Sequence, residues 1–171
     1  MREIVLAGGC YWGVEKYLSN LRGVVRTEVG FANGHTEHPS YEQVKYEHTG
    51  HAEAVWVHYD EKLLPLPRLL SLFFRIIDPT SVDRQGHDEG HQYRTGIYWI
   101  DAADEAVARQ SLAQLAESYE QPLVVECEAL QNFTTAEEYH QRYLDKNPGG
   151  YCHVPWEMIE WAKQANGTDE K

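Results

Sequence analysis

The sequence predicts a two-layer α+β fold of the split βαβ, ferredoxin-like type: a mainly antiparallel sheet with helices on one face, extended by C-terminal helical and strand additions and a coil-rich tail. Three observations carry this. Period-2 and period-3.6 hydrophobic segments alternate in the order strand, helix, strand, strand, helix, strand. The 171 residues suffice for one core without staples. No internal repeat divides them, so residues 1–171 read as a single domain in which residues 148–171 form a tail.

Each element has its own justification. Residues 3–7 (Glu-Ile-Val-Leu-Ala) read as a short buried strand. From Val14 the stripe Val14, Tyr17, Leu18 and Leu21 marks an amphipathic helix, with Gly23 as its stop. Residues 24–32 alternate, with Val25, Thr27, Val29 and Phe31 on one face. Turn residues 33–40 follow, and Ser40 caps a short helix over 41–46. In the strand 53–59, Glu53 shares its face with Val55, Val57 and Tyr59. Pro67 opens an apolar helix that Asp78-Pro79 ends. Residues 81–91 form a polar, glycine-punctuated loop, and 93–100 alternate again with Tyr93, Thr95, Ile97 and Trp99 on one face. Asp101 caps a helix striped by Ala108, Leu112, Leu115, Ala116 and Tyr119, and 123–127 form a strand that buries Cys127. A capping box at 134–138 starts a helix bearing Tyr139 and Tyr143, a terminal helix spans 155–165, and 166–171 are disordered.

Charge and cysteine usage narrow the function classes. Fifteen lysines and arginines against 27 acids give a net charge of -12, which excludes nucleic acid and anionic membranes as natural partners. The three widely spaced cysteines do not make a secreted disulfide framework. The N-terminal apolar run is too short for a signal peptide, and the protein reads as cytoplasmic.

Cys10 follows Gly8-Gly9 at a helix start, where unpaired N–H groups and the macrodipole favour a thiolate and lower the thiol pKa. The same residue also reads as a buried structural cysteine, and this segment leaves both open. Glu53 is either a surface acid at a strand end or a carboxyl aimed at an apolar face, where burial would keep it protonated and able to donate. Cys152 follows Pro148-Gly149-Gly150 and is either an incidental surface cysteine or a mobile resolving thiol for Cys10. His87 and His91, four apart, could bind a metal together with His51, although Gly86 and Gly90 argue against the helix this needs. Tyr11 and Trp12 adjoin Cys10 and would form an apolar wall suited to a methyl or thioether group.

The segments Gly9-Cys10-Tyr11-Trp12-Gly13, Tyr41 to Val44, Gly50-His51-Ala52-Glu53, Asp78-Pro79-Thr80, Arg84-Gln85-Gly86, Asp88, Gln92-Tyr93-Arg94, Glu137 to Gln141 and Gly150-Tyr151-Cys152 occur in one order. Together they resemble the class A peptide methionine sulfoxide reductases over residues 3 to about 154. The resemblance implies reduction of methionine S-sulfoxide, free or in proteins, as repair under oxidative stress. It assigns Cys10 as nucleophile, Glu53 as acid, and Tyr41, Asp88 and Tyr93 as groups around the sulfoxide oxygen. Tyr11 and Trp12 would hold the methyl group, and Cys152 would close a disulfide on Cys10 that thioredoxin reduces. It implies no metal and no organic cofactor. The chain departs from the family pattern at Tyr11 (usually phenylalanine), His91 (commonly threonine or proline) and Lys45 (cysteine in some relatives), and no cysteine follows Cys152. Two other readings are a hydrolase whose metal is held by His51, His87 and His91, and a binding module switched by a Cys10–Cys152 disulfide.

Overall fold

The computed structural model describes residues 1–165, so the disorder expected over 166–171 lies outside the described residues. The chain runs β1 (Arg2–Gly8), α1 (Tyr11–Ser19), β2 (Val24–Ala32), α2 (Tyr41–Tyr46), β3 (Ala52–Tyr59), α3 (Leu66–Phe74), β4 (Arg84–Gln85), β5 (Asp88–Glu89) and β6 (Thr95–Trp99). It continues through α4 (Asp104–Ala116), β7 (Glu126–Ala129), β8 (Phe133–Thr135), α5 (Tyr143–Lys146) and α6 (Trp156–Ala162). The main sheet has the order β7-β6-β1-β3-β2-β8. Its central four strands are all antiparallel, the order the split βαβ arrangement requires, while β7 joins β6 in parallel.

Alternation decides which side chains the helices cover. Ile4 and Leu6 of β1, Val29 and Phe31 of β2, Val55, Val57 and Tyr59 of β3 and Ile97 of β6 meet Tyr17, Leu18, Leu69, Leu70 and Phe73 in one core. Val5, Ala7, Ala54 and Tyr98 point the other way, into a smaller cluster closed by Trp56, Leu130 and Phe133. Glu53 lies on the helix-covered face, as its spacing from Val55 and Val57 predicts.

Several expectations fail locally. A bulge between Val24 and Arg26 turns Val25 out, leaving it 58% exposed rather than level with Val29. The capping box at 134–138 does not form. Phe133–Thr135 instead pairs with β2, a 3₁₀ turn spans Glu138–His140, and Arg142 in the left-handed region breaks the chain before α5. Asp101 accepts from Ala103 N–H in a turn, and α4 begins at Asp104. The strand expected over 123–127 is displaced to Glu126–Ala129, where Cys127 is half-buried rather than buried. Tyr93 belongs to a 3₁₀ turn instead of β6. The polar loop 81–91 contains the β4–β5 hairpin.

Candidate active site

Cys10 is placed by a turn only glycine accommodates. β1 ends at Gly8, and Gly9 has φ of +96°, where a Cβ would stand 2.8 Å from Gln85 Cβ. Gln85 in turn is locked to the Asp78 backbone, accepting from its N–H and donating to its carbonyl, each at 2.9 Å. Cys10 then occupies the N-cap of α1, 8% exposed. The lowered pKa expected from the helix start is corrected here. Burial pushes the thiol well above its ordinary value, neighbouring Glu53 adds to this, and the Trp12 N–H opposes it. The Trp12 N–H of the first turn lowers the value, but desolvation outweighs that hydrogen bond.

Glu53, the second residue of β3, lies opposite Phe31 and is 1% exposed. Tyr11 N–H, at the first residue of α1, donates to Glu53 Oε1 at 3.2 Å, tying the acid to the cysteine's own helix. Glu53 Oε2 is buried with no protein partner. Burial raises this carboxyl to about 8, with the Tyr11 N–H and the Gln92 amide pulling the other way. At neutral pH it is therefore protonated, and Oε2 is the oxygen free to carry the proton.

Tyr41 is delivered by α2, whose start is fixed by a reciprocal cap between Ser40 and Gln43. Tyr93 comes from the 3₁₀ turn His91–Tyr93. Burial, then the charge of Glu53, raises both phenols, so the two hydroxyls are neutral donors near that carboxyl. Asp88, on β5, accepts from Tyr151 Oη at 3.0 Å. Trp12 stacks on Tyr143 with ring centres 3.8 Å apart and planes within 9°, and its Nε1–H donates to His140 Nδ1 at 3.2 Å. His140 is buried and its pKa is lowered by that burial, so its neutral ring can accept. Tyr11 is 1% exposed, against Phe31 and His140, and its hydroxyl has no protein partner.

Cys152 is half-buried against α1, its Sγ 3.0 Å from where a Gly13 Cβ would stand, and the thiol donates to Val154 O at 3.3 Å. It borders a cavity of about 180 Å³ together with Lys16, Leu144 and Trp156. A charge on Cys152 would add to the upward push on the Cys10 thiol.

The three histidines of the metal reading line a cavity of about 560 Å³ that Asp88 and Tyr93 also line. They do not converge: His51 Nδ1 is 2.9 Å from Thr49 Oγ1, and His91 Nδ1 is 3.1 Å from Asp83. Among the described residues no three His, Cys, Asp or Glu side chains are grouped to hold a metal ion. Sequence reasoning missed Gln92, His140, Tyr151 and His153 as parts of this neighbourhood. The first three lie inside the quoted motifs and His153 directly follows the last of them, which was the one available signal.

Two thiols, one at the start of α1 and one against its Gly13, with a neutral buried acid tied to the same helix, equip a cysteine-dependent oxidoreductase on a split βαβ frame. Comparison with known proteins makes the class specific. The family model described as peptide methionine sulfoxide reductase matches residues 2–171. The peptide methionine sulfoxide reductase MsrA of Lachnoclostridium phytofermentans is 52% identical over 164 residues, covering 96% of this chain and 99% of that protein. Among solved structures, Mxr1 from Saccharomyces cerevisiae in reduced form superposes with a TM-score of 0.84 at 38% identity, covering 90% of this chain and 91% of that one. The same yeast protein in complex with Trx2 gives 0.59 at 25% identity over 83% of this chain and 84% of that one. The chain belongs to the peptide methionine sulfoxide reductase family, class A, and is a methionine sulfoxide reductase. No described helix is long and apolar enough to cross a membrane.

Proposed function

We propose that the chain reduces methionine S-sulfoxide, free or in oxidised proteins, with Cys10 as nucleophile, Glu53 as general acid and Cys152 as resolving thiol. The observation that carries this reading is Glu53: a carboxyl kept protonated to about pH 8, one oxygen held by Tyr11 N–H and the other unpartnered beside Cys10. A sulfoxide is a poor electrophile until its oxygen gains a proton, and Glu53 Oε2 supplies it. Tyr41 and Tyr93 donate to the same oxygen, and Asp88 acts on it through water. Trp12, held flat by Tyr143 and His140, faces the methyl group together with Tyr11.

Cys10 sulfur bonds to the substrate sulfur as the oxygen is protonated. The S–O bond of the substrate then breaks and the oxygen passes to Cys10. Methionine leaves reduced by two electrons, and Cys10 is left as sulfenic acid. The proton Cys10 gives up restores Glu53. Cys152 attacks the sulfenic acid, releasing water and forming a disulfide that thioredoxin reduces. The complex of yeast Mxr1 with Trx2 supports that partner, and the reducing chemistry suits the cytoplasm as the place of work. Residues 148–171 act as the tail that brings Cys152 in. Gly149, with nothing within 4 Å of its Cβ position, supports a hinge there.

The test is a single turnover without reductant on a mixture of the two sulfoxide epimers. One methionine per chain, drawn from the S epimer alone and absent in Cys10→Ser, is expected. Consumption of both epimers, or activity in Cys10→Ser, overturns the reading.

A further inference from the structure

His153 has a fixed tautomer and a spare lone pair. Its Nε2 is 3.0 Å from the Gly8 carbonyl oxygen, which only accepts, so Nε2 carries the hydrogen and donates. In the neutral ring the lone pair then lies on Nδ1. That Nδ1 is buried and has no partner among the described residues. Buried polar atoms without partners are rare in folded proteins and ask for an explanation.

The surroundings of the ring supply one. Nδ1 is 3.2 Å, and Cys152 Sγ 3.0 Å, from the point where a Gly13 Cβ would stand, so the two atoms are at most about 6 Å apart. Nε2 is 3.0 Å from the corresponding point on Gly9, the residue before Cys10. The ring thus lies between the segment bearing one thiol and the thiol of the other. Cys152 at rest spends its S–H on Val154 O and is raised by burial, so it has no base of its own.

We propose that His153 is the general base of the resolving step: Nδ1 takes the Cys152 proton as that sulfur attacks the Cys10 sulfenic acid. The inference rests on the reading of Cys152 as resolving thiol. A Cys10–Cys152 S–S bond forms and the S–O bond of the sulfenic acid breaks. Cys152 sulfur is oxidised by one electron and Cys10 sulfur reduced by one. The hydroxide leaves as water with the proton that His153 carried, and the ring ends neutral. Burial holds His153 below its ordinary value, against the opposing pull of the Gly8 carbonyl and of Asp88 on β5. The other elements against the ring present Gly8 and Gly9, Gln85 on β4 and Gly13 on α1, none of which titrates in this range. The base is therefore already free at neutral pH.

The experiment follows disulfide formation in the full chain after a reductant-free methionine burst, between pH 5.5 and 9.5. In wild type the rate is expected to rise through an inflection below 6.5 and then stay flat. In His153→Gln, whose amide N–H can still donate to Gly8 O but offers no base, the burst keeps its amplitude of one methionine per chain. Disulfide formation slows on the order of 10²-fold at pH 7, the lower end of general-base effects, and climbs with pH as the thiol ionises. A wild-type rate that climbs across the whole range overturns the proposal whatever the variant does. So does a variant with the wild-type rate and profile. Thioredoxin-driven cycling that survives Cys152→Ser instead removes the underlying reading. Loss of cycling in Cys152→Ser together with an unaffected His153→Gln removes the base alone.

Discussion

Glu53→Gln separates the carboxyl's proton from its shape. The glutamine carbonyl can still accept the Tyr11 N–H at the position of Oε1, and the amide nitrogen takes the place of the unpartnered Oε2. That amide donates a hydrogen bond to a sulfoxide oxygen but cannot release a proton to it. Removing a positioned general acid costs ~10²- to 10⁴-fold in rate, or about 3 to 5 kcal/mol at 1.36 kcal/mol per decade. The surviving hydrogen bond places this variant near the lower figure. The assay is the rate of the reductant-free methionine burst against pH: wild type is flat through pH 7 and falls above about 8, where Glu53 loses its proton, and the variant loses that limb. Stability gives an independent reading. Glu53 titrates near 4.5 when unfolded and near 8 when folded, so between these values the native state holds a proton that the unfolded chain has lost. Unfolding then releases a proton, stability falls as pH rises from 4.5 to 8, and it levels off above. Over 3.5 units at 1.36 kcal/mol each, this destabilises wild type at pH 8 by at most about 5 kcal/mol relative to pH 4.5. Glu53→Gln should therefore gain stability over wild type steadily across that window in urea titrations. A burst within tenfold of wild type that keeps the alkaline limb, or a stability difference independent of pH, would refute the assignment.

Tyr11→Phe removes a buried hydroxyl that has no protein partner, and is expected to raise stability by about 1 kcal/mol in thermal denaturation. A loss of that size would mean the hydroxyl is satisfied. Glu15→Ala removes the acceptor of Thr27 Oγ1 and of the Arg142 N–H, both at 2.8 Å, and should cost ~2 to 4 kcal/mol in urea unfolding. A change under 1 kcal/mol would show that the link from α1 to the Arg142 turn is dispensable. In a Cys127→Ser, Cys152→Ser background, Cys10 should alkylate slowly at pH 7 and faster only far into the alkaline range. Adding Glu53→Gln should shift that titration downward, since the Glu53 charge pushes the thiol up. Alkylation that saturates below pH 8 would contradict a protonated resting thiol.

The frame was legible because its signals are local. Alternation in β3 put Glu53 on the face of Val55, Val57 and Tyr59 without any knowledge of what covers them. The Gly8-Gly9 turn and the stripe from Val14 located Cys10 at the mouth of α1. Failures arose where one pattern fits two structures. Thr134 and Thr135 suit an N-cap and an edge strand equally, and the open hydrogen bonds of β2 decided for the strand, pairing Gly30 with Thr135 and Phe31 with Thr134. Val25 follows the alternation of its strand, but period cannot register a bulge. Contacts across long stretches of chain were invisible for the same reason. His153 meets Gly8 across 145 positions, and Trp12 meets His140 across 128. The residues proposed to react carry local sequence signals, whereas the contacts that hold them carry none.

Burial acts on Cys10 and Glu53 in the same direction, and this changes what the helix start is for. A preformed thiolate would need the Trp12 N–H of the first turn to outweigh desolvation, and at Cys10 it does not. The resting site thus holds two protons, one on sulfur and one on Glu53, and carries no net charge at its centre. The reaction consumes neither: thiol plus sulfoxide gives sulfenic acid plus thioether with no change in proton count. In the proposed mechanism, once the sulfoxide oxygen takes the Glu53 proton, the carboxylate left behind serves as the base for the Cys10 thiol. On that proposal attack and protonation are linked through one carboxyl, and the helix terminus would act on a thiolate formed only with substrate bound. A neutral, desolvated resting site also protects the thiol from adventitious oxidants, since the thiolate is the form they attack.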